Sequence, residues 1–143
     1  SLTEPDKKMS KSDVTGGSVG ILDKRDDIVR KIKRAVTDSG SEVKYAEGKD
    51  GINNLLTIYC AFTGKTIEEA EKEFSGMGYG VFKEAVAEVC ADSLGAVQDK
   101  FYDILKNKDY LNDMLKRNAE SAAYLARKTL SKVYRKIGFY QPK

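Results

Sequence analysis

Hydrophobic positions recur with helical spacing along most of the chain. The first such stretch lies in residues 24–36, and a second covers residues 51–62. Longer apolar stripes run over residues 81–106 and 109–137. In each stretch the apolar side chains fall on one face of a 3.6-residue helix, which indicates an amphipathic helix that packs on a core. The pattern therefore predicts a mainly α-helical protein.

Capping and turn residues predict where these helices begin and end. Asp23 is placed as the N-cap of the first helix, and Thr66 with Glu69 has the spacing of a capping box. Gly64 and Gly138 are placed as C-terminal stops. The glycine-rich "SGMGYG" lacks the Lys-Ser/Thr pair of a phosphate-binding P-loop and is interpreted as a tight connection between helices. Only "SVGILD" has the composition of a strand.

Charge is unevenly distributed along the chain. The net charge is +2 in residues 1–39, −6 in residues 40–105 and +7 in residues 106–143, within a total of +3. A basic surface attracts polyanions, although a basic helix face that is simply solvated gives the same pattern. The chain contains no histidine, and its two cysteines, Cys60 and Cys90, are far apart. We therefore expect no metal site and two buried, reduced thiols.

The start of the chain has no targeting signal, and no apolar run approaches the length of a membrane span. We expect a cytoplasmic protein that does not enter a membrane. Because the chain begins at Ser1 just before a loop motif, we also expect it to be a piece of a longer protein.

The most distinctive motif is "KKMSKSD", residues 7–13. Two separated lysines among small hydroxyl residues suit the transfer of adenylate from ATP to a carboxylate. Ammonium groups stabilise charge that develops on departing pyrophosphate, and serine hydroxyls donate hydrogen bonds to phosphate oxygens. The glycine pair that follows would allow such a loop to hinge. A bare lysine-serine pattern also occurs in disordered tails, so the motif alone leaves both interpretations open.

Within that motif, "KMSKS" is the second signature of the class I aminoacyl-tRNA synthetases. The chain resembles the bacterial tryptophanyl-tRNA synthetases through "SLTEPDKKMSKSD", "AVTDS" at residues 35–39, "GINNLLTIY" at residues 51–59 and "GYGVFK" at residues 78–83. These segments follow the order and spacing of the family over nearly the whole chain. The tyrosyl relatives share the architecture, but "AVTDS" and "GYGVFK" favour the tryptophanyl family.

The resemblance implies a mainly α fold, the helical anticodon-binding domain of a class I synthetase. A short loop and strand remnant of the Rossmann-type catalytic domain is expected at its N-terminus. Residues 1–22 would carry the KMSKS loop, residues 23–106 would form the anticodon-binding domain, and residues 107–143 would form a helix that packs back towards the catalytic domain. The family's first signature, a HIGH-like motif, is absent from these residues. We therefore expect a C-terminal fragment that cannot activate tryptophan alone.

The resemblance also implies ligands and partners. Full-length members activate tryptophan with ATP and Mg²⁺, load it onto tRNA(Trp), and are homodimers; no DNA and no membrane is expected as a partner. No cofactor is expected to bind the fragment tightly. Lys8 and Lys11 would act on the ATP phosphates, with Lys11 nearest the pyrophosphate. Met9, Ser10 and Ser12 would complete the nucleotide-binding loop.

For tRNA, the expected contacts lie on the first helix and the loop after it: Arg30, Lys31, Lys33, Arg34, Asp38, Lys44 and Tyr45. The four cations would meet phosphates, while Asp38 and Tyr45 would read unstacked anticodon bases by hydrogen bonding and stacking. The alternative is a non-enzymatic helical module for protein interaction or RNA binding, with a disordered basic N-terminal tail.

Overall fold

The computed structural model describes residues 1–10, 12 and 15–139. Within these residues the chain forms five helices: α1 (Arg25–Lys33), α2 (Asp50–Thr63), α3 (Ile67–Glu73), α4 (Gly78–Lys106) and α5 (Lys108–Ile137). The predicted mainly α fold is confirmed, and the predicted bounds of α2, α4 and α5 are correct to within about one turn. None of the described helices is long and apolar enough to cross a membrane.

The chain divides into two compact units, Ser1–Asp99 and Lys100–Lys143. The first unit holds α1 to α3 and most of α4, together with the loops that carry the candidate site residues. The division of the chain by role at residues 22 and 106 stays a prediction.

The core of the first unit is formed by apolar side chains from every one of its helices. Ile28 and Ile32 of α1 are 1% exposed, while Leu55 of α2 and Phe82 of α4 are fully buried. Phe74, which follows α3, packs edge-on against Phe82 and against Tyr59, with ring centroids 5.0 and 5.2 Å apart. Burial of these faces is the main contribution to the stability of the unit.

Several helix ends are as the sequence predicts. The hydroxyl of Thr66 accepts a hydrogen bond from the Glu69 amide, and the Glu69 carboxylate accepts one from the Thr66 amide, which completes the capping box. Gly64 and Gly138 both adopt left-handed conformations, with φ of 74° and 76°, as C-caps of α2 and α5. The predicted connection between α3 and α4 is a turn over residues 74–77, and the last three residues of "SGMGYG" already belong to α4.

Both predicted ends of α1 are wrong. Asp23 does not cap the helix, because its carboxylate instead accepts hydrogen bonds from the Gly20 amide and the Lys31 ammonium at 2.8 and 2.7 Å. Lys24 occupies the N-cap position without a side-chain capping bond. The helix stops at Lys33 rather than continuing to Val36, since the Val36 amide donates to the carbonyl of Leu2.

The predicted strand in "SVGILD" is also wrong, and the part of the chain that the structure describes contains no strand. A single strand has no neighbour to satisfy its amides and carbonyls. The segment instead turns, and the Asp23 amide donates to the Gly20 carbonyl. The Gln98 side chain of α4 then donates to the carbonyls of Ile21 and Asp23.

The apolar stripe of α5 is present but lies exposed. Of the predicted members, Leu115, Leu130, Val133 and Ile137 are 44–56% exposed, and no residue of α5 is buried. The side chain of Asn107 caps the start of the helix by accepting from the Tyr110 amide. Pro142, predicted to lie beyond the helix stop, falls outside the described residues.

Gly51 generates the first testable prediction, because the start of α2 packs directly on the backbone at the end of α1. A Cβ at this position would lie 2.1 Å from the Val36 carbonyl oxygen. We expect Gly51→Ala to lower the free energy of unfolding by about 3 kcal/mol, since neither backbone segment can move away without disturbing the core. The measurement is urea denaturation followed by circular dichroism.

Gly95 provides the matched control, because it lies within α4 and a Cβ there would meet no atom within 4 Å. Gly95→Ala should raise the free energy of unfolding by up to about 1 kcal/mol. Equal stability of the two variants would contradict the close approach at Gly51.

The two thiols generate a second prediction. Both cysteines are free, but Cys90 is 3% exposed and Cys60 is only partly buried. Burial raises the pKa of Cys90 from 9.0 to about 11. We expect iodoacetamide at pH 8 to modify Cys60 in the native protein and Cys90 only after unfolding, as read by peptide mass spectrometry. Because the Cys90 pKa is raised on folding, its contribution to stability is present below pH 9 and is lost as the pH rises towards 11. Equal labelling rates for the two thiols would refute the placement of Cys90.

Candidate functional site

Hydrogen bonds join the two ends of the loop that contains the lysine motif, and these ends form the base of the loop. The amide of Leu2 donates to the Gly17 carbonyl at 2.8 Å, and the Thr3 and Thr15 hydroxyls lie 3.2 Å apart. Leu2 is 1% exposed, and the Asn54 side chain of α2 donates to the Ser1 carbonyl. The two ends of the loop are therefore joined to each other and to the helices, in the manner of a surface Ω-loop. This is not how a disordered tail begins.

The described residues of the motif lie at the surface. Lys8 and Ser10 are exposed, and the hydroxyls of Ser10 and Ser12 are 3.0 Å apart. Lys7 forms an ion pair with Glu4 that raises the Lys7 pKa, whereas the structure records no ion pair for Lys8 with any described residue. Lys11 lies outside the described residues. Lys8 is thus exposed to solvent in the same loop as a pair of serine hydroxyls, and ammonium and hydroxyl groups are donors that suit phosphate.

Met9 anchors the middle of this loop. It is 37% exposed and lines an apolar cavity of about 180 Å³ together with Leu2, Val19, Ile32, Ile58, Phe62, Cys90 and Leu94. Met9 therefore borders side chains of α1, α2 and α4, while Lys8 is exposed to solvent. The alternation of Lys8, Met9 and Ser10 in the sequence is the signal for this arrangement.

The basic face of α1 is split between two environments. Arg30, Lys31 and Arg34 line a cavity of about 250 Å³, which the loop base closes with Thr3, Thr15 and Gly16. Lys33 lies elsewhere and pairs with Glu84 of α4 at 2.7 Å. The structure thus brings three of the four predicted cations together beside the lysine loop.

Two of the three cavity cations also contact carboxylates. Arg30 pairs with Asp27 at 2.5 Å, and Lys31 pairs with Asp23 at 2.7 Å. The hydrogen bond from Lys31 lowers the pKa of Asp23, so this carboxylate remains ionised at neutral pH. Arg34 is exposed and forms no ion pair with any other residue that the structure describes. Arg34 is therefore the cation most available to an anionic ligand.

The segment between α1 and α2, residues 36–49, is ordered by side chains as well as by backbone. Val43 is 4% exposed and fixes the middle of the segment, while the amides of Tyr45 and Ala46 donate to Glu71 and Asn53. Lys44 is exposed and the Tyr45 side chain is 51% exposed. A fixed backbone thus presents a basic and an aromatic side chain to solvent, a combination suited to stacking and phosphate contact.

Asp38, predicted to read a base, is only partly exposed and already has partners. Its carboxylate accepts from the Tyr79 hydroxyl and from the Gly40 amide. Sequence reasoning missed Tyr79, although it lies within the quoted "GYGVFK", and it also missed Thr3 and Thr15. No local pattern joins these residues to the site, because their partners are distant in sequence.

The chain is similar to known proteins over nearly its whole length. The family described as "tRNA synthetases class I (W and Y)" matches residues 1–95. The tryptophan–tRNA ligase of Clostridium acetobutylicum is 44% identical over 143 residues, and that of Bacillus anthracis is 47% identical over 140 residues. The crystal structure of tryptophanyl-tRNA synthetase from Mycoplasma pneumoniae aligns with a TM-score of 0.81 at 29% sequence identity.

These matches cover nearly all of this chain but less than half of each relative. The alignments take in 99% of this chain and 43% of the Clostridium protein, 96% and 42% for the Bacillus protein, and 97% and 44% for the Mycoplasma structure. The resemblance inferred from the lysine loop and the helical motifs is confirmed. This chain belongs to the class I tRNA synthetases, in the family of the W and Y enzymes.

Proposed function

We propose that the chain is the C-terminal part of a tryptophan–tRNA ligase, an enzyme that activates tryptophan with ATP and transfers it to tRNA(Trp). The observation that carries this proposal is the 44% identity to the Clostridium ligase over 99% of the chain. The activity belongs to the whole enzyme, a cytoplasmic homodimer, and the 143 residues alone are expected to be inactive. Their share is the lysine loop and the surfaces that bind tRNA.

In this proposal the lysine loop acts on the departing pyrophosphate. When tryptophan attacks the α-phosphate of ATP, negative charge grows on the leaving group, and ammonium groups placed there lower the barrier. Lys8 and Lys11 supply this charge, while Ser10 and Ser12 donate hydrogen bonds to phosphate oxygens. An exposed Lys8 in the same loop as the paired hydroxyls of Ser10 and Ser12 supports this role. Mg²⁺ accompanies ATP through its phosphate oxygens, and no residue of this chain is assigned to it.

The basic surface binds the tRNA backbone. Arg30, Lys31 and Arg34 converge on one cavity with the Thr3 hydroxyl, and phosphate groups satisfy such cations while releasing counterions. Lys33 lies on the same helix and adds charge from its position beside Glu84. This surface holds and orients tRNA without reading its sequence.

The segment of residues 36–49 meets the anticodon. The exposed ring of Tyr45 can stack on an unpaired base, and Lys44 can contact a neighbouring phosphate. Asp38 lies in the same segment, with its carboxylate bonded to the Tyr79 hydroxyl. The alternative function, a non-enzymatic module with a disordered basic tail, is disfavoured because Leu2 is buried and the loop ends are hydrogen-bonded to each other.

The tRNA proposal can be tested with the 143-residue chain. We expect it to bind tRNA(Trp) more tightly than a tRNA(Trp) transcript with a changed anticodon, in fluorescence anisotropy at several salt concentrations. Arg30→Ala and Arg34→Ala should each weaken both affinities to a similar degree and reduce the salt slope by about 1, since each removes a phosphate contact.

Lys72→Ala is the matched control, because Lys72 is an exposed lysine on the acidic helix α3. It should leave both affinities and the salt slope unchanged. Equal affinity of the wild-type chain for the two transcripts would overturn the proposal that it reads the anticodon.

The lysine-loop proposal is tested in the full-length ligase. Lys8→Ala and Lys11→Ala should each slow tryptophan-dependent pyrophosphate exchange by about a hundredfold or more, since each removes a group that stabilises the transition state. The melting temperature of Lys8→Ala should not change, because the Lys8 side chain is exposed.

Lys7→Ala is the control for these variants. Its ammonium group is one residue away but is paired with Glu4, so exchange should stay within a few-fold of wild type. Exchange that survives both loop substitutions would remove the catalytic role assigned to Lys8 and Lys11.

A further inference from the structure

Three side chains from distant parts of the sequence form one hydrogen-bonded network beside the segment of residues 36–49. The Tyr79 hydroxyl, in the first turn of α4, lies 2.8 Å from both carboxylate oxygens of Asp38 and donates to them. The Lys49 ammonium donates to the Tyr79 oxygen at 3.1 Å and to the Glu42 carbonyl at 2.8 Å. The Gly40 amide donates to Asp38 at 2.7 Å. We call Asp38, Tyr79 and Lys49 the Asp38 network.

Each member of the network has one protonation state at neutral pH. Burial acts to raise the pKa of Asp38, but hydrogen bonds from Tyr79 and Gly40 and the charge of Lys49 outweigh it and lower the pKa. Burial raises the pKa of Tyr79, so its hydroxyl keeps its proton and remains a donor. The hydrogen bond to Tyr79 raises the pKa of Lys49, which stays an ammonium. The donors and acceptors are therefore fixed in direction.

The network leaves no room for a side chain at residue 40. A Cβ on Gly40 would lie 2.6 Å from a carboxylate oxygen of Asp38 and 3.2 Å from the Tyr79 hydroxyl oxygen. Because Asp38 is held by two donors, it cannot simply rotate away. The glycine in "TDSGS" is thus explained by the network.

The network holds residues 38–42, which lie just before the exposed side chains of the segment. Residues 38–42 are held at one end by Asp38 and at the other by the bond from Lys49 to Glu42. Val43 is buried directly after them, and Lys44 and Tyr45 follow with their side chains in solvent. The position of Tyr45 therefore depends on how residues 38–42 are held, together with the bond from its own amide to Glu71.

We propose that Asp38, Tyr79 and Lys49 are positioning residues that hold this segment in the conformation in which Lys44 and Tyr45 meet unpaired bases. In this role Asp38 acts as an acceptor for the protein's own donors instead of reading a base. The inference rests on the proposed function of the segment in anticodon binding. A loop that is already ordered before binding loses less conformational entropy when the complex forms.

The test removes a single oxygen atom. Tyr79→Phe keeps the ring but deletes the hydroxyl that joins Asp38 to Lys49. We expect the ratio of affinities of the 143-residue chain for tRNA(Trp) and for the changed-anticodon transcript to fall about tenfold, the effect of losing one hydrogen bond to a charged group. The salt slope should not change, because the phosphate contacts of α1 remain.

Tyr59→Phe is the matched control. The Tyr59 hydroxyl also lies between a carboxylate and an ammonium, those of Glu73 and Lys65, but neither partner belongs to residues 36–49. It should leave the affinity ratio unchanged. Hydrogen exchange should show lost amide protection in residues 38–46 for Tyr79→Phe alone, while the two variants keep similar melting temperatures.

Asp38→Asn separates positioning from base reading. If the network positions the loop, Asp38→Asn and Tyr79→Phe reduce the affinity ratio by similar factors, and the double variant loses no more than either single variant. If Asp38 reads a base, Asp38→Asn reduces the ratio far more than Tyr79→Phe does, and the proposal is overturned. An unchanged ratio in Tyr79→Phe overturns it as well, while the anticodon proposal stands. A wild-type chain that does not discriminate between the transcripts overturns both.

Discussion

The arrangement of the first unit depends on one backbone junction at Val36. Its amide donates to the Leu2 carbonyl, and its own carbonyl lies so close to Gly51 that no side chain fits there. One residue earlier, the Ala35 carbonyl accepts from the ammonium of Lys83 in α4, whose burial lowers the lysine pKa. The base of the lysine loop, the end of α1, the start of α2 and the first turns of α4 therefore meet within two residues.

This junction lies between the two regions to which function is assigned. Leu2 joins the lysine loop to it from one side, and residues 36–49 leave it on the other. The cavity formed by Arg30, Lys31 and Arg34 lies between α1 and the loop base. The surfaces proposed for nucleotide and for tRNA therefore share one base, which can keep them in fixed relative positions while their exposed side chains remain free to meet ligands.

The features that were predicted correctly from the sequence are determined by interactions of short range. Helical periodicity, the capping box of Thr66 and the left-handed stop at Gly64 are each specified within a few residues, and the structure confirms them. The errors at Asp23, at Val36 and in "SVGILD" have a different origin. In each case a partner distant in sequence, or a competing side chain such as Lys31, satisfies a polar group that the local pattern assigned elsewhere.

The same distinction between interactions of short range and those between distant residues applies to the candidate site. The family resemblance pointed to the lysine loop, because its motif has a fixed spacing, whereas the basic helix followed from periodicity and charge; the roles of both stay predictions. Charge alone could not show that Lys33 faces Glu84 while Arg30 and Arg34 face the loop base, since Arg30 and Lys33 lie on one short helix and Arg34 follows it directly. Nor could it connect Asp38 with Tyr79, 41 residues later. In a sequence, a loop carboxylate is equally compatible with a ligand contact and with an internal hydrogen bond. Only its distance to donors in the folded chain shows whether an internal bond is formed.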